Sequence, residues 1–597
     1  FGSSISLLAR GLVTIFPGTL ICLAGLWRKM GCSSSADAGK KPKKEKNGFS
    51  KILEEAEHHA EERCGTVAVT GRYHRLPKRL THDYDLQVDI LGSGYSGNVY
   101  LATGKHCKGR FAVKGFKLTG LPEGKQQELV AEVDVFLSVD HPNIVRLVDV
   151  FEAEDMLYMV MECMEGGELF ETLQARKSFS EQDAADLTWQ MLLAVNYLHH
   201  EMHVVHRDLK LENFLFVTKN STQIKLIDFG FSRIWDQGHD KKMTWNVGTL
   251  LYMAPEVLKS SYTSQCDMWS LGVIVFLLLS GKEPFTGSMR EMQSAISKGS
   301  YQMNHKRWNK VSDLGKDFVR ALLVVNPEER MTAKKALEHP WITEREADKL
   351  NHAPHVDKGI ADGLLQYAQV GTFRKACMTM MALSLSAEEE AELHDAFLAA
   401  DTGHTGALHI GEFKSVMEEH FDLHDEDIQK IFDAIDSNHD HTIHYSEFLS
   451  ACMMSKVNLS DDLLEGAFHR FDTHEAGKIT ADDLQGIFGS SISKDEAVQF
   501  VRQVSSSSAD SISHDEFLAY MKNGETRLSK RLSQTLQTKD QTPTTSPTGR
   551  SSFNRRVSTQ SNGAATGGGT FKSKTGSASP TINGDPWNRK GVDLETI

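Results

Sequence analysis

The spacing of apolar positions changes several times along the chain, and each change marks an element or a boundary. From Leu7 to Leu26 the side chains are mostly apolar, long enough for a membrane-spanning helix or a signal peptide. Arg10, Pro17 and three glycines interrupt that run, and no Ala-x-Ala cleavage pattern precedes Met30. Phe111-Ala112-Val113-Lys114 alternates with the period of a strand and ends in a lysine. The pattern then predicts a helix from Lys125 to Val139, ahead of His141-Pro142-Asn143. Within Thr343–Ser386, the residues Leu364, Leu365, Tyr367, Phe373, Met378, Met381 and Leu385 recur at roughly helical spacing, beside Arg374 and Lys375. A basic, Met-rich amphipathic helix of this kind can dock into an apolar groove or pack on a neighbouring domain. A repeat of about 35 residues follows, with starts at 401, 436, 472 and 505. Seven residues after each start lies Leu408, Ile443, Ile479 or Ile512, and just after each loop lies Phe413, Phe448, Leu484 or Phe517. From 523 to 597 large apolar residues are few among Ser, Thr, Gly and Pro, which predicts a disordered tail.

At 597 residues the chain exceeds one core, so two or more domains are expected. Its net charge of −14 argues against a nucleic-acid partner. The tail from Met521 is opposite in sign, with 12 Lys+Arg against 5 Asp+Glu. The eight cysteines show no paired spacing, as expected for reduced thiols in a cytoplasmic compartment.

Met30-Gly31-Cys32-Ser33-Ser34-Ser35 changes the view of the first segment. It fits the N-myristoylation pattern if Gly31 becomes the terminus, so residues 1–29 are expected to be a translated leader absent from the mature protein. Cys32 is then a palmitoylation candidate, and Lys40, Lys41, Lys43, Lys44 and Lys46 add a basic cluster. Two acyl chains, or one chain with a basic patch, hold a protein stably on a membrane. The segment 30–83 is accordingly expected to be an acylated arm at the cytoplasmic face of a membrane.

The densest chemistry lies further on. Leu91-Gly92-Ser93-Gly94-Tyr95-Ser96-Gly97-Asn98-Val99 contains G-x-G-x-x-G-x-V, in which absent Cβ atoms let backbone amides approach phosphate oxygens. Lys114 supplies a point charge for the α- and β-phosphates. In His206-Arg207-Asp208-Leu209-Lys210-Leu211-Glu212-Asn213, Asp208 can orient a substrate hydroxyl and accept its proton, and Lys210 can neutralise the γ-phosphate. Asn213 and Asp228 offer hard oxygen ligands suited to Mg2+ bridging the phosphates of ATP. Asp228-Phe229-Gly230 and Ala254-Pro255-Glu256 complete the order.

Over residues 84–342 the chain resembles a eukaryotic Ser/Thr protein kinase. The resemblance implies that Glu132 pairs with Lys114, with Glu128 as the alternative. It implies Met161 as gatekeeper and Glu162, Cys163 and Met164 as the adenine hinge, with Glu168 at the edge of the nucleotide site. Asp267 would brace the catalytic loop and Arg330 would pair with Glu256. Lys210 marks Ser/Thr specificity, and Glu168 and Glu212 match positions that read basic residues upstream of the target. Thr249 matches a structural substrate-binding position, and Thr244 is the candidate activation-segment phosphosite. In the tail, Ser533 and Ser558 follow basic residues and resemble targets of basophilic kinases.

The repeats read as helix–loop–helix calcium sites, which need oxygen ligands at loop positions 1, 3, 5 and 12, a backbone carbonyl at 7 and glycine at 6. The first loop has Asp401, Thr405, Gly406 and Glu412, with Ala407 at position 7, but Gly403 at position 3 offers no side-chain ligand. The second has the full set, Asp436, Asn438, Asp440 and Glu447, with Thr442 at 7 and His441 in place of glycine. The third has Asp472, His474, Lys478 at 7 and the shorter Asp483 at 12, and the fourth keeps only Glu516. The expected order of calcium binding is second, first, third, fourth.

The whole order resembles the calcium-dependent protein kinases of plants and protists. That resemblance implies an α+β architecture: a two-lobed kinase fold at 84–342, an autoinhibitory junction at 343–386, and an all-α, calmodulin-like domain of four EF-hands at 387–522. It implies ATP, Mg2+ and Ca2+ as cofactors, basic Ser/Thr protein substrates, a monomer, and a junction that blocks the kinase until calcium lets the hands capture it.

Overall fold

The computed structural model describes residues 48–94, 97–107, 109–234, 249–259, 261–346, 356–457, 459–505 and 510–522. The chain opens with α1 (Gly48–Cys64), α2 (Thr66–Thr70), β1 (Tyr73–Arg75) and α3 (Leu80–Asp83). Then come β2 (Tyr84–Gly94), β3 (Gly97–Gly104), β4 (Arg110–Lys117), α4 (Glu123–Ser138), β5 (Leu147–Glu152) and β6 (Met156–Glu162). The sheet order is β1-β5-β6-β4-β3-β2, antiparallel except for the parallel β1–β5 edge, with Lys114 opposite Val99 and Met159. Helix α4 spans nearly the predicted residues, whereas α1 to β1 were expected only as part of an arm. Leu53, Ala56, Glu57 and Ala60 are buried at spacings of a helical stripe, and α1 lies on α4. Their contact includes His59 with Asp134 at 2.8 Å and the Cys64 thiol donating to the Ser138 carbonyl at 3.3 Å.

The helical second lobe comprises α5 (Leu169–Arg176), α6 (Glu181–His200), α7 (Gln265–Ser280), α8 (Met289–Lys298), α9 (Asp313–Leu322), α10 (Ala333–Leu337) and α11 (Pro340–Thr343). Short strands β7 (Val204–Val205), β8 (Phe214–Phe216), β9 (Ile224–Leu226) and β10 (Arg233–Ile234) pair as β7–β10 and β8–β9. Helix α7 is buried at every residue from Cys266 to Ser280, as an all-round apolar helix must be, and it stops at Gly281 with φ 62°. This anchor fixes the loops that carry the chemistry.

The junction forms two helices, α12 (Lys358–Tyr367) and α13 (Thr372–Ala382), separated by a turn rather than one continuous helix. Beyond lie α14 (Ala387–Ala400), β11 (Ala407–His409), α15 (Ile410–His420), α16 (Asp425–Ile435), β12 (Thr442–His444), α17 (Tyr445–Lys456), α18 (Asp461–Phe471), β13 (Lys478–Thr480), α19 (Ala481–Phe488), α20 (Lys494–Val504) and β14 (Ser511–Ser513). The hands pair two by two: β11 runs antiparallel to β12, with Leu408 opposite Ile443, and β13 to β14, with Ile479 opposite Ile512. Junction residues Leu364, Tyr367, Phe373, Met378, Met381 and Leu385 are buried in one core with Phe397, Phe413, Phe448 and Phe471 of the hands. Among the described residues, no helix is long and apolar enough to cross a membrane.

Candidate functional site

The cleft side chains are delivered by strand ends and by a tight loop. Lys114 on β4 donates to Glu132 of α4 at 2.5 Å and to Asp228 at 3.2 Å. Glu132 is therefore the partner in this structure, while Glu128 pairs with Lys125 at 2.8 Å. Burial alone would push the Lys114 ammonium down, but Glu132 and Asp228 outweigh it and keep the group charged. Burial would likewise raise the Asp228 carboxyl, and Lys114 with the Gly230 amide holds it below the ordinary value.

Asp208 is buried. One carboxylate oxygen accepts from Lys210 at 2.5 Å, and the other from the Thr249 amide at 3.2 Å. Asn213 donates its amide to the Asp208 carbonyl at 2.9 Å, which leaves its own oxygen as the available ligand atom. Beneath them Asp267 accepts from the amides of His206 and Arg207 at 2.9 and 2.8 Å and pairs with His199 at 2.8 Å. Burial would raise this carboxyl, but those bonds lower it, so it acts as a fixed anionic brace. Arg207 is held at φ 70° by that frame. Phe229 is fully buried between Phe136 of α4 and His206, which locks the loop carrying Asp228 against the helix carrying Glu132. Arg330 clasps Glu256 through two bonds of 2.6 and 2.9 Å.

Gly92 faces open space, with room for a Cβ, and Gly97 has φ 135°, where a Cβ would come within 3.0 Å of the Gly115 carbonyl oxygen. These glycines, with Leu91, Asn98 and Val99, form the β2–β3 hairpin above Lys114. Tyr95 and Ser96, and the side chain of Ser93, lie outside the described residues. Met161 is buried, and Cys163 follows, partly buried. The Glu162 side chain is engaged away from the cleft. Its carboxylate accepts from the Arg146 amide at 2.7 Å and from Lys225 at 2.8 Å. Glu168 caps α5 and shares an acidic patch with Glu171 and Glu212. Burial and those two neighbours raise its carboxyl, and Lys210 opposes them.

The calcium loops differ in how their carboxylates are occupied. In the second loop Asp436 accepts from the His441 amide at 3.0 Å through one oxygen, while its other oxygen is buried without a hydrogen-bond partner. A buried, orphaned carboxylate oxygen fits a cation ligand. His441 sits at φ 69°, the left-handed geometry that position 6 demands of glycine. Glu447 is buried and accepts from the Ser437 amide at 2.7 Å and the His444 amide at 3.0 Å. Asp440 and Asn438 complete the set, with Asp440 paired to His444 at 2.6 Å. In the first loop both Asp401 oxygens accept backbone amides, and Glu412 accepts from the Gly403 amide at 2.7 Å. Thr405 donates to the Ala407 carbonyl, the expected position-7 ligand, at 2.9 Å. In the third loop Asp483 is fully buried and bonded by Thr473, Thr480 and His474, leaving little for a cation. In the fourth, Glu516 accepts from Ser505 at 3.2 Å and from the Ser513 amide at 3.0 Å.

The hands touch the kinase lobes at points that no motif announced. The Asn438 side chain donates to the Arg63 carbonyl at the end of α1 at 2.5 Å, and the His404 carbonyl accepts from Asn196 of α6 at 2.7 Å. Glu390 of α14 pairs with Arg146 at 3.1 Å and Lys225 at 3.3 Å and accepts from Tyr445 at 2.7 Å. Arg470 of α18 reaches Asp149 of β5 at 3.0 Å. Arg374 and Lys375 do not face the catalytic cleft. Arg374 is buried and donates to the Met521 carbonyl at 2.6 Å, and Lys375 to that of Ala434 at 2.5 Å. Gly31, Cys32, Thr244, Ser533 and Ser558 lie outside the described residues.

Comparison with known proteins agrees with this geometry. The protein kinase domain family matches residues 86–342, and the EF-hand domain pair matches 390–453. The chain is 35% identical to calcium-dependent protein kinase 7 of Arabidopsis thaliana, over 74% of this chain and 84% of that protein. It is 33% identical to calcium-dependent protein kinase 3 of Plasmodium berghei, over 74% and 80%, and 34% identical to calcium-dependent protein kinase 4 of Plasmodium falciparum, over 72% and 84%.

Proposed function

Because the chain belongs to the calcium-dependent protein kinases and is a Ser/Thr protein kinase, we propose that it phosphorylates Ser and Thr in basic sequence contexts, and that calcium at its own hands gates the reaction. Asp208 orients the incoming hydroxyl and takes its proton as the bond to phosphorus forms. Lys210, 2.5 Å from Asp208, offsets charge on the transferred group. Lys114, held by Glu132, positions the nucleotide phosphates, and the β2–β3 glycines give its backbone access. Asn213 and Asp228 would hold Mg2+, which would supply positive charge against the charge that develops on the phosphates. The acidic patch of Glu168, Glu171 and Glu212 beside Lys210 supports recognition of basic residues near the target.

The observation that carries the gate is the burial of α12 and α13 in the core of the hands, with Arg374 and Lys375 turned into that core. A junction held there is unavailable to block the cleft, and we propose that calcium loss releases it. The orphaned Asp436 oxygen supports the second loop as the main trigger, and the Asn438–Arg63 bond links that loop through α1 to α4 and Glu132. Membrane attachment through Gly31 and Cys32 belongs to the same proposal, supported by the acylation motif and the adjoining lysines. Phosphate incorporation into a basic Ser-containing peptide, with calcium and with chelator, tests the gate. Retention of a Gly31→Ala protein on membranes would remove the acylation part alone.

A further inference from the structure

Outside the cleft and the calcium loops, three chemistry-bearing side chains converge between the β3–β4 turn and the third hand. His106 stands in that turn, and Glu465 and His469 stand on α18. Four positions apart on one helix, Glu465 and His469 share a face one turn from each other. The three ligand atoms all lie within 4.8 Å of one another. His106 Nδ1 is 3.5 Å from the Glu465 carboxylate, and the two imidazole rings stack at 3.5 Å between centroids. We propose that this cluster binds a borderline divalent cation of the zinc type, clamping the kinase sheet to helix α18.

The donor set suits such an ion. Two imidazoles and a carboxylate are the ligands zinc takes in three-ligand sites, with water in the fourth place. A tetrahedral ion with 2.0–2.1 Å bonds needs donors about 3.3 Å apart, which modest rotation of these half-exposed side chains supplies. Calcium and magnesium, which favour all-oxygen shells, are poor matches. Asp83 lies 3.9 Å from Nε2 of His106, on the side away from the cluster, where a carboxylate orients a ligating imidazole. Lys78 holds that carboxylate at 3.4 Å and also donates to the His469 carbonyl at 2.6 Å, so the two walls of the site share a fixed support.

The test is calorimetric titration of the full chain with zinc chloride, in saturating calcium and magnesium so that the other sites are filled. One zinc site is expected in the parent protein. It should weaken at least about tenfold in His106→Ala, in His469→Ala and in Glu465→Gln, since losing a ligand costs no less than losing an outer partner. His200→Ala, a surface histidine elsewhere, should keep it. Zinc should also raise the melting temperature of the parent chain and not that of the three variants. Melting in chelator checks folding; if either histidine variant is destabilised, the half-exposed Glu465→Gln decides. A parent chain without such a site, or an isotherm unchanged in Glu465→Gln and the folded histidine variants, overturns the proposal.

Discussion

Glu390 sits where the hands meet the back of the hinge, and removing its charge should uncouple them. Arg146, Lys225, Glu162 and Glu390 form a network of two cations and two anions, each side chain no more than 11% exposed. Glu390→Gln keeps the shape but leaves one buried positive charge without compensation, a loss of about 3–5 kcal/mol. Lys51 and Glu55 on α1 form a control pair 4.0 Å apart and 75% and 67% exposed, so Glu55→Gln should cost at most about 1 kcal/mol. Hydrogen exchange of the α14 amides in calcium reads the local opening free energy and avoids treating a multi-domain chain as two-state. At about 1.4 kcal/mol per decade, Glu390→Gln should lower protection by roughly two to three and a half orders of magnitude. A cycle with Arg146→Met should be strongly non-additive, because the double substitution removes both unpaired charges. Protection lost equally in Glu390→Gln and Glu55→Gln, or a cycle additive within about 0.5 kcal/mol, would refute the reasoning.

Asp208→Asn should lower turnover by about 10²–10⁴ with little change in nucleotide affinity, checked by steady-state kinetics and nucleotide binding. Glu447→Gln, which removes a charge from the proposed ligand set of the second loop, should raise the calcium needed for half-maximal activity by roughly tenfold. An unmoved calcium curve would displace that loop as the trigger. Arg470→Met should loosen α18 from β5 by removing the guanidinium from the buried Asp149 carboxylate, which keeps only its contacts with His74 and Tyr84, seen as faster exchange in both elements and costing about 3–5 kcal/mol. Acid should weaken the same contact. Burial would raise the Asp149 carboxyl, but Arg470 and His74 hold it down at about 2, below its ordinary 3.8. A depressed carboxylate stabilises above its unfolded value, so the contribution is complete above about pH 4 and fades as pH falls toward 2, measurable as exchange against pH.

The candidate catalytic residues were legible because each lies in a short segment whose spacing the chemistry dictates. Asp208, Lys210 and Asn213 are neighbours in one loop, and the candidate calcium ligands of each hand are packed into twelve residues. Their identities could be read without knowing what surrounds them. The apolar spacing of 364–385 gave the helical character of the junction but could not say which core it joins, since a Met-rich face suits either. The turn near Gly371 that splits it into α12 and α13 also escaped that pattern. Helix α1 carries a stripe in Leu53, Ala56 and Ala60, but its small alanines among charged residues make a weak apolar signal. The contacts of Glu390 with Arg146 and of Arg470 with Asp149 join residues hundreds of positions apart. Singly each is an ordinary charged side chain, and only the fold makes it a buried partner. The ranking of the calcium loops had a sequence basis in their ligand sets, and the orphaned Asp436 oxygen gives the second loop a physical one.

The most direct test is phosphate transfer to a basic Ser-containing peptide by the full chain with Mg-ATP, once in saturating calcium and once in chelator. Turnover in calcium with near-background activity in chelator is the predicted result. Equal turnover in both conditions would contradict calcium gating, and none in either would contradict the catalytic assignment of Asp208, Lys114 and Asp228.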